Sequence, residues 1–177
     1  VAWPDGERVL AARVSAAGAL LDATPMELSS HPGFLEVGGV AFDGARFLVT
    51  WIQPSDPSGA GPIYDVHAAR VTPGGALLDG PPEGGGILVN ALPMVGKQRP
   101  TVAYDGSSFV VAWWIDGFSG DTGIRAARVR GDGTVPGLPV TSSGFPVARP
   151  EGGVSRAVYP VVVPAADGRA LVATGSP

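Results

Sequence analysis

Along most of the chain apolar residues alternate with small or polar ones on a period of two, the spacing of a β-strand with one face turned each way. The run Ile124 to Val129, read IRAARV, keeps that alternation and passes into a glycine-containing turn and a further apolar stretch. The run Val102 to Trp114, VAYDGSSFVVAWW, is two β-rich segments around an Asp-Gly pair, the strongest short-range hairpin signal. These patterns predict short antiparallel strands joined by tight turns, an all-β chain.

The same phrases recur in a fixed order. VAFDGARFLVTW (Val40 to Trp51) is matched by VAYDGSSFVVAWW and, more loosely, by VPAADGRALVAT (Val163 to Thr174). Their Asp-Gly pairs, Asp43-Gly44, Asp105-Gly106 and Asp167-Gly168, are 62 residues apart in both intervals. A second phrase, AARV, begins at Ala11, Ala68 and Ala126, and a turn follows each copy: SAAGALLD, TPGGALLD and RGDGTVPG. One unit therefore reads as four strands, A to D, in roughly 60 residues, the size of a β-propeller blade.

The phasing divides the chain into 1–33 (strands C and D of a split blade, after the end of a B strand), 34–92 and 93–145 (two complete blades), and 146–177 (strands A and B of a split blade). The expected architecture is a β-propeller-like array of four-stranded antiparallel blades, about three blades per chain. Three wedges do not readily close a ring. A second chain or further repeats would complete it, and a linear stack of sheets is the alternative.

These phrases, from Arg8 to Thr174, resemble the tandem VA(F/Y)DG…W…ARV repeats of secreted and surface proteins of myxobacteria and related bacteria. The resemblance implies propeller-type repeats of unassigned function. The last unit departs from the pattern, with Ala165-Ala166 in place of the apolar-aromatic pair before Asp-Gly.

Composition narrows the functional classes. Glycine (27) and proline (18) make up about a quarter of the 177 residues, yet 45% of the chain is hydrophobic, so they punctuate a chain with a core. The net charge of −4 shows no basic footprint for nucleic acid. No cysteine is present, so disulfides and thiolate metal sites are absent. The longest apolar run, Ala157 to Ala166, is broken by Pro160 and Pro164, and no membrane span is expected.

No nucleophile elbow, zinc-binding helix motif, P-loop or dinucleotide fingerprint occurs, and the chain does not read as an enzyme. His67 falls at a strand position that varies between repeats, which predicts a solvent-facing or edge role. The loop Asp116 to Gly123 offers two carboxylates to calcium, but it lacks EF-hand spacing and a counterpart in the preceding repeat, so no cofactor is expected. The B-to-C loops differ in length on a regular frame, and such loops carry specific contacts. They make Tyr64, Asp65, Trp114, Asp116, Phe118 and Asp121 the candidate ligand contacts, an aromatic and acidic set suited to a sugar ring. The competing reading packs Trp114 and Phe118 beneath their loop.

Trp51 and Trp113 share one phase of strand B and are expected at blade interfaces. Arg13, Arg70 and Arg128 lie in an apolar strand and need partners, since an unpaired buried charge is costly. The recurrent Asp43, Asp105 and Asp167 are candidates, together with turn carbonyls of the same or next blade.

The function expected from this pattern is a non-catalytic scaffold or binding and adhesion module, extracellular or at the cell surface. Its expected partners are another copy, another repeat-containing chain, a glycan or a surface protein. The alternative is a propeller-type glycoside hydrolase or lyase whose site other blades complete; such enzymes need a pair of acids at defined separation.

Overall fold

A computed structural model describes residues 1–33, 35–55, 63–91, 95–117, 122–137, 144–148, 159–165 and 168–175. Thirteen strands fall within them. The first sheet is β1 (Ala2–Asp5), β2 (Arg8–Ala11) and β3 (Met26–Ser30). The second is β4 (Glu36–Phe42), β5 (Phe47–Pro54), β6 (Tyr64–Val71) and β7 (Ile87–Asn90). The third is β8 (Val95–Tyr104), β9 (Phe109–Gly117), β10 (Gly123–Val129) and β11 (Phe145–Ala148), and the fourth is β12 (Tyr159–Pro164) with β13 (Ala170–Gly175). Every sheet is an antiparallel meander whose strands pair in chain order. The chain is all-β and antiparallel; the described sheets do not form a closed barrel or ring.

The register aligns the repeats independently of sequence spacing. Trp3 pairs with Leu10, Trp51 with His67 and Trp113 with Arg125, and each partner immediately precedes AARV. The hairpins close alike, Phe42 opposite Phe47 and Tyr104 opposite Phe109, with Gly44 and Gly106 at φ of 95° and 97°, a conformation that favours glycine.

Both faces of the middle sheets are covered, which explains strands that are apolar in both phases. Leu48, Ile52, Val66 and Ala68 turn toward the third sheet and meet Val111, Trp113, Ile115, Ala127 and Val129. Val49, Trp51, Ala69 and Val71 turn the other way and pack on Val9, Ala11 and Leu28 of the first sheet. Val110, Ala112, Trp114, Ile124 and Ala126 pack on Val162 of the fourth. Adjacent sheets approach through their first strands, β4 against β8 and β8 against β12. Gly38 permits that approach, since a Cβ there would stand 1.8 Å from the Pro100 carbonyl oxygen.

The final hairpin differs from its counterparts. Val163 pairs with Leu171, three residues short of Thr174, the position that the 62-residue repeat places opposite it. An odd shift turns a strand over. Val172 therefore faces the third sheet, and Leu171 is 63% exposed where the equivalent Phe109 is buried.

Candidate functional site

The arginines of AARV are engaged between sheets. Arg13 donates from Nε and Nη2 to Asp22 at 2.9 and 2.5 Å, and its backbone N–H donates to the same carboxylate at 2.6 Å. Arg70 repeats the arrangement nine residues from Asp79, with Nε at 3.0 Å, Nη2 at 2.6 Å and the backbone N–H at 2.6 Å. In each case the remaining arm reaches the next sheet: Arg13 Nη1 donates to the Pro73 carbonyl at 2.8 Å, and Arg70 Nη1 to that of Gly131 at 2.7 Å. Fork-shaped, charge-assisted bonding suits arginine to this double task. The hydrogen bonds to Asp22 raise the Arg13 pKa and lower that of Asp22, and those to Asp79 raise that of Arg70.

The third copy has Gly137 where the others have Asp22 and Asp79. Arg128 instead pairs with Asp105 and donates to Ser108 Oγ at 2.7 Å, while its Nη2 lies 3.4 Å from the Gly168 carbonyl. Asp105 also accepts from Ser107 and Ser108 N–H at 2.9 and 2.8 Å. Burial raises its pKa, but the hydrogen bonds from Ser108, Arg128 and Ser107 outweigh burial and bring it down to about 2.

Of the three Asp-Gly aspartates expected as arginine partners, Asp105 pairs with its AARV arginine. Asp43 caps its own hairpin, accepting from Ala45 and Arg46 N–H at 2.7 and 2.5 Å. Asp167 lies outside the described residues. The partners overlooked, Asp22 and Asp79, have a signal in the sequence: each closes a phrase ending LLD, nine residues after its arginine.

Between the first and second sheets lies a buried polar group. Trp51 Nε1 donates to Gln53 Oε1 at 2.9 Å, and Ser29 Oγ donates to the same oxygen at 3.1 Å. His67 is 8% exposed, stacks on Trp51 and places Nδ1 2.7 Å from the Gly85 carbonyl, which requires the proton on Nδ1. The solvent-facing role expected for His67 is thereby corrected, because the downstream GGG tract folds over it. Trp113 occupies the place of Trp51, but Ile115 replaces Gln53 and the indole N–H has no hydrogen-bond partner among the described residues.

Two groups of polar side chains among the described residues lie at sheet junctions. At the hairpin end of the second to fourth sheets, a cleft of about 750 Å³ is lined by Arg46, Arg128, Arg130, Ser107, Ser108 and Asp132, among others. Where the first strands converge, Arg99 of β8 stands with its guanidinium 3.7 Å from the Tyr159 ring centre of β12, and its Nε is 3.7 Å from Glu36 Oε1 of β4. Arg99 has φ of 49°, the positive-φ non-glycine residue of the described chain, and its side chain is 51% exposed. A bulky residue held in that region stores strain of about 1 kcal/mol or more.

The loop candidates are distributed differently. Tyr64 and Asp65 open β6, opposite Pro54 and Gln53, and are half-buried. Asp116 lies near the end of β9, opposite Gly96, so these positions share one end of neighbouring sheets. Trp114 is 2% exposed, packed in the core against the fourth sheet, so no indole face is open for a sugar to stack on. Phe118 and Asp121 lie outside the described residues. Comparison with known proteins finds no match, whether among family models, curated proteins or solved structures.

Proposed function

We propose that the chain is a non-catalytic repeat module, a β-propeller-like array of blades that serves as a scaffold for binding or adhesion at an extracellular or cell surface. The observation that carries this reading is the arginine link between consecutive sheets, in which the recurrent charged residues fasten the frame. The convergence of β4, β8 and β12, with β3, β7 and β11 lying on the far edges of their sheets, supports a radial arrangement.

On such a frame the Arg99, Tyr159 and Glu36 group is the binding position we favour. Three consecutive sheets each contribute one residue to it, and Arg99 takes its positive φ at the register irregularity of β8, a backbone outlier of the kind that supports a functional reading. A guanidinium, a phenol and a carboxylate together suit a polyhydroxylated, acid-bearing saccharide.

The test is glycan-array binding run beside a turnover assay on the same saccharides, with wild type and Arg99→Gly. Glycine adopts a φ of 49° without strain, so the variant should keep its melting temperature. Saturable binding without product, weakened in Arg99→Gly, is the expected result. Release of cleaved product by the wild type would overturn the non-catalytic reading, and unchanged binding by the variant would remove Arg99 from it.

A further inference from the structure

The turns after AARV are three copies of one device. Ser15, Thr72 and Arg130 each donate their backbone N–H to the carbonyl four residues on, and Gly18, Gly75 and Gly133 each donate back at 2.9 Å. All three glycines have positive φ, between 81° and 91°. In two copies the turn is a seat for the arginine of the preceding sheet. The Arg13 Cζ lies 3.1 Å from where a Cβ of residue 75 would stand, and the Arg70 Cζ lies 3.0 Å from the same point at Gly133. Each guanidinium also bonds the carbonyl two residues before its glycine, Pro73 or Gly131. The third seat is bare: none of the described residues approaches within 4 Å of the same point at Gly18.

The surface around that seat is uncovered in the same way. Val71 and Val129 are 3% and 0% exposed, whereas the equivalent Val14 is 45% exposed. Val14 bridges to Leu20 as Val71 bridges to Leu77, and Leu20 is 62% exposed while Leu77 is half-buried against the core. Trp51 and Trp113 are fully buried, and Trp3 is half-buried. This face of the first sheet therefore carries one half of the interface that joins the other sheets, with Val14 and Leu20 in solvent and Leu10 and Ala12 of the same strand phase at 8% and 3% exposure.

The opposite end of the chain holds the complementary imbalance. Arg128 is the one AARV arginine that does not reach a turn of this kind; its Nη2 lies at 3.4 Å from a carbonyl of the β12–β13 hairpin, and its side chain is 39% exposed against 12% for Arg70. On the face of the fourth sheet turned away from the third, Val161, Val163 and Leu171 are 54%, 46% and 63% exposed. One chain thus has a seat without an arginine and an arginine without a seat.

We infer that the open face of the first sheet binds the fourth-sheet end of a second copy of this chain, whose Arg128 sits over Gly18 with the Ala16 carbonyl as acceptor. The contact is head-to-tail, and two such contacts close a pair of chains into one ring. The inference rests on the scaffold reading for its repeat frame, and it continues an interface already present twice within the chain.

Sedimentation equilibrium over a concentration series tests it, using wild type and Val14→Glu. Val14 is already half in water, so the variant should fold and melt as wild type does, while a carboxylate in the contact raises the dimer Kd by about a hundredfold. Because the chain has no cysteine, Leu20→Cys supplies a second readout, maleimide labelling that slows as chain concentration rises. A concentration-dependent wild-type dimer, dissociated by Val14→Glu and protected at Leu20→Cys, is expected. A wild type that stays monomeric, a Val14→Glu variant that keeps the wild-type mass, or labelling independent of concentration would each overturn the inference. A monomer that still binds saccharide without turnover would leave the scaffold reading standing.

Discussion

Trp51 and Trp113 offer a paired experiment in which position is nearly constant and hydrogen bonding differs. Both are fully buried at a sheet interface, and both lie against a positive-φ glycine, Gly86 or Gly144, whose missing Cβ admits the indole edge. Truncation of either to alanine should cost about 3–5 kcal/mol. Replacement with phenylalanine separates the two. The transfer and cavity terms are alike at both sites and cancel to first order in the comparison. At Trp51 the substitution deletes a bond to Gln53 Oε1 worth about 1 kcal/mol. At Trp113 it deletes a buried N–H without a partner, relieving a penalty of about 1–3 kcal/mol. Trp113→Phe should therefore be the milder change by about 2 kcal/mol or more. Urea unfolding followed by circular dichroism, with m-values checked for constancy, measures the difference. A Trp113→Phe cost equal to or above that of Trp51→Phe would refute this account of the interface.

Other consequences follow from single contacts. Gly86→Ala sets a Cβ 2.4 Å from the Ala68 carbonyl oxygen, whereas Gly44→Ala meets open space and only backbone strain. The first should cost at least about 2 kcal/mol more than the second in thermal unfolding. Asp105, held at about 2, is depressed in the folded chain, so its stabilisation is complete above the unfolded pKa near 3.8 and is lost as pH falls through about 2. That loss, of order 2 kcal/mol, should appear between about pH 4 and pH 2 in acid titrations of stability, and Asp105→Asn should flatten this limb of the curve.

Strand order is legible in the sequence because a period of two, an Asp-Gly hairpin and AARV recur together, and each phrase maps onto one place in a meander. The apolar character of both strand faces likewise reads through to sheets stacked on both sides. Pairing across space is less legible. The arginines read as fasteners, but their partners follow the residue nine positions on: Arg13 and Arg70 bond Asp22 and Asp79 there, whereas Arg128 meets Gly137 and turns to Asp105, although that carboxylate also caps its own hairpin. His67 reads as a variable strand position because the backbone that covers it, Gly85, is 18 residues away and carries no side chain. The turned-over β13 follows from a hairpin register that alternation alone does not specify, since Leu171, Val172 and Ala173 are apolar in both phases. The Arg99 group joins three sheets through residues that are not repeated, and repetition is blind to it.

The central claim, that AARV arginines fasten the frame, is tested most directly by the unfolding free energies of Arg70→Met and Arg70→Met/Asp79→Leu. Arg70 and Asp79 side chains are 12% and 9% exposed, so removing the cation alone leaves a carboxylate that is largely buried and severs the link to Gly131. The account predicts a loss of about 3 kcal/mol for the single variant, with at least half recovered in the double, where no charge is stranded. A single variant within about 0.5 kcal/mol of wild type would contradict it.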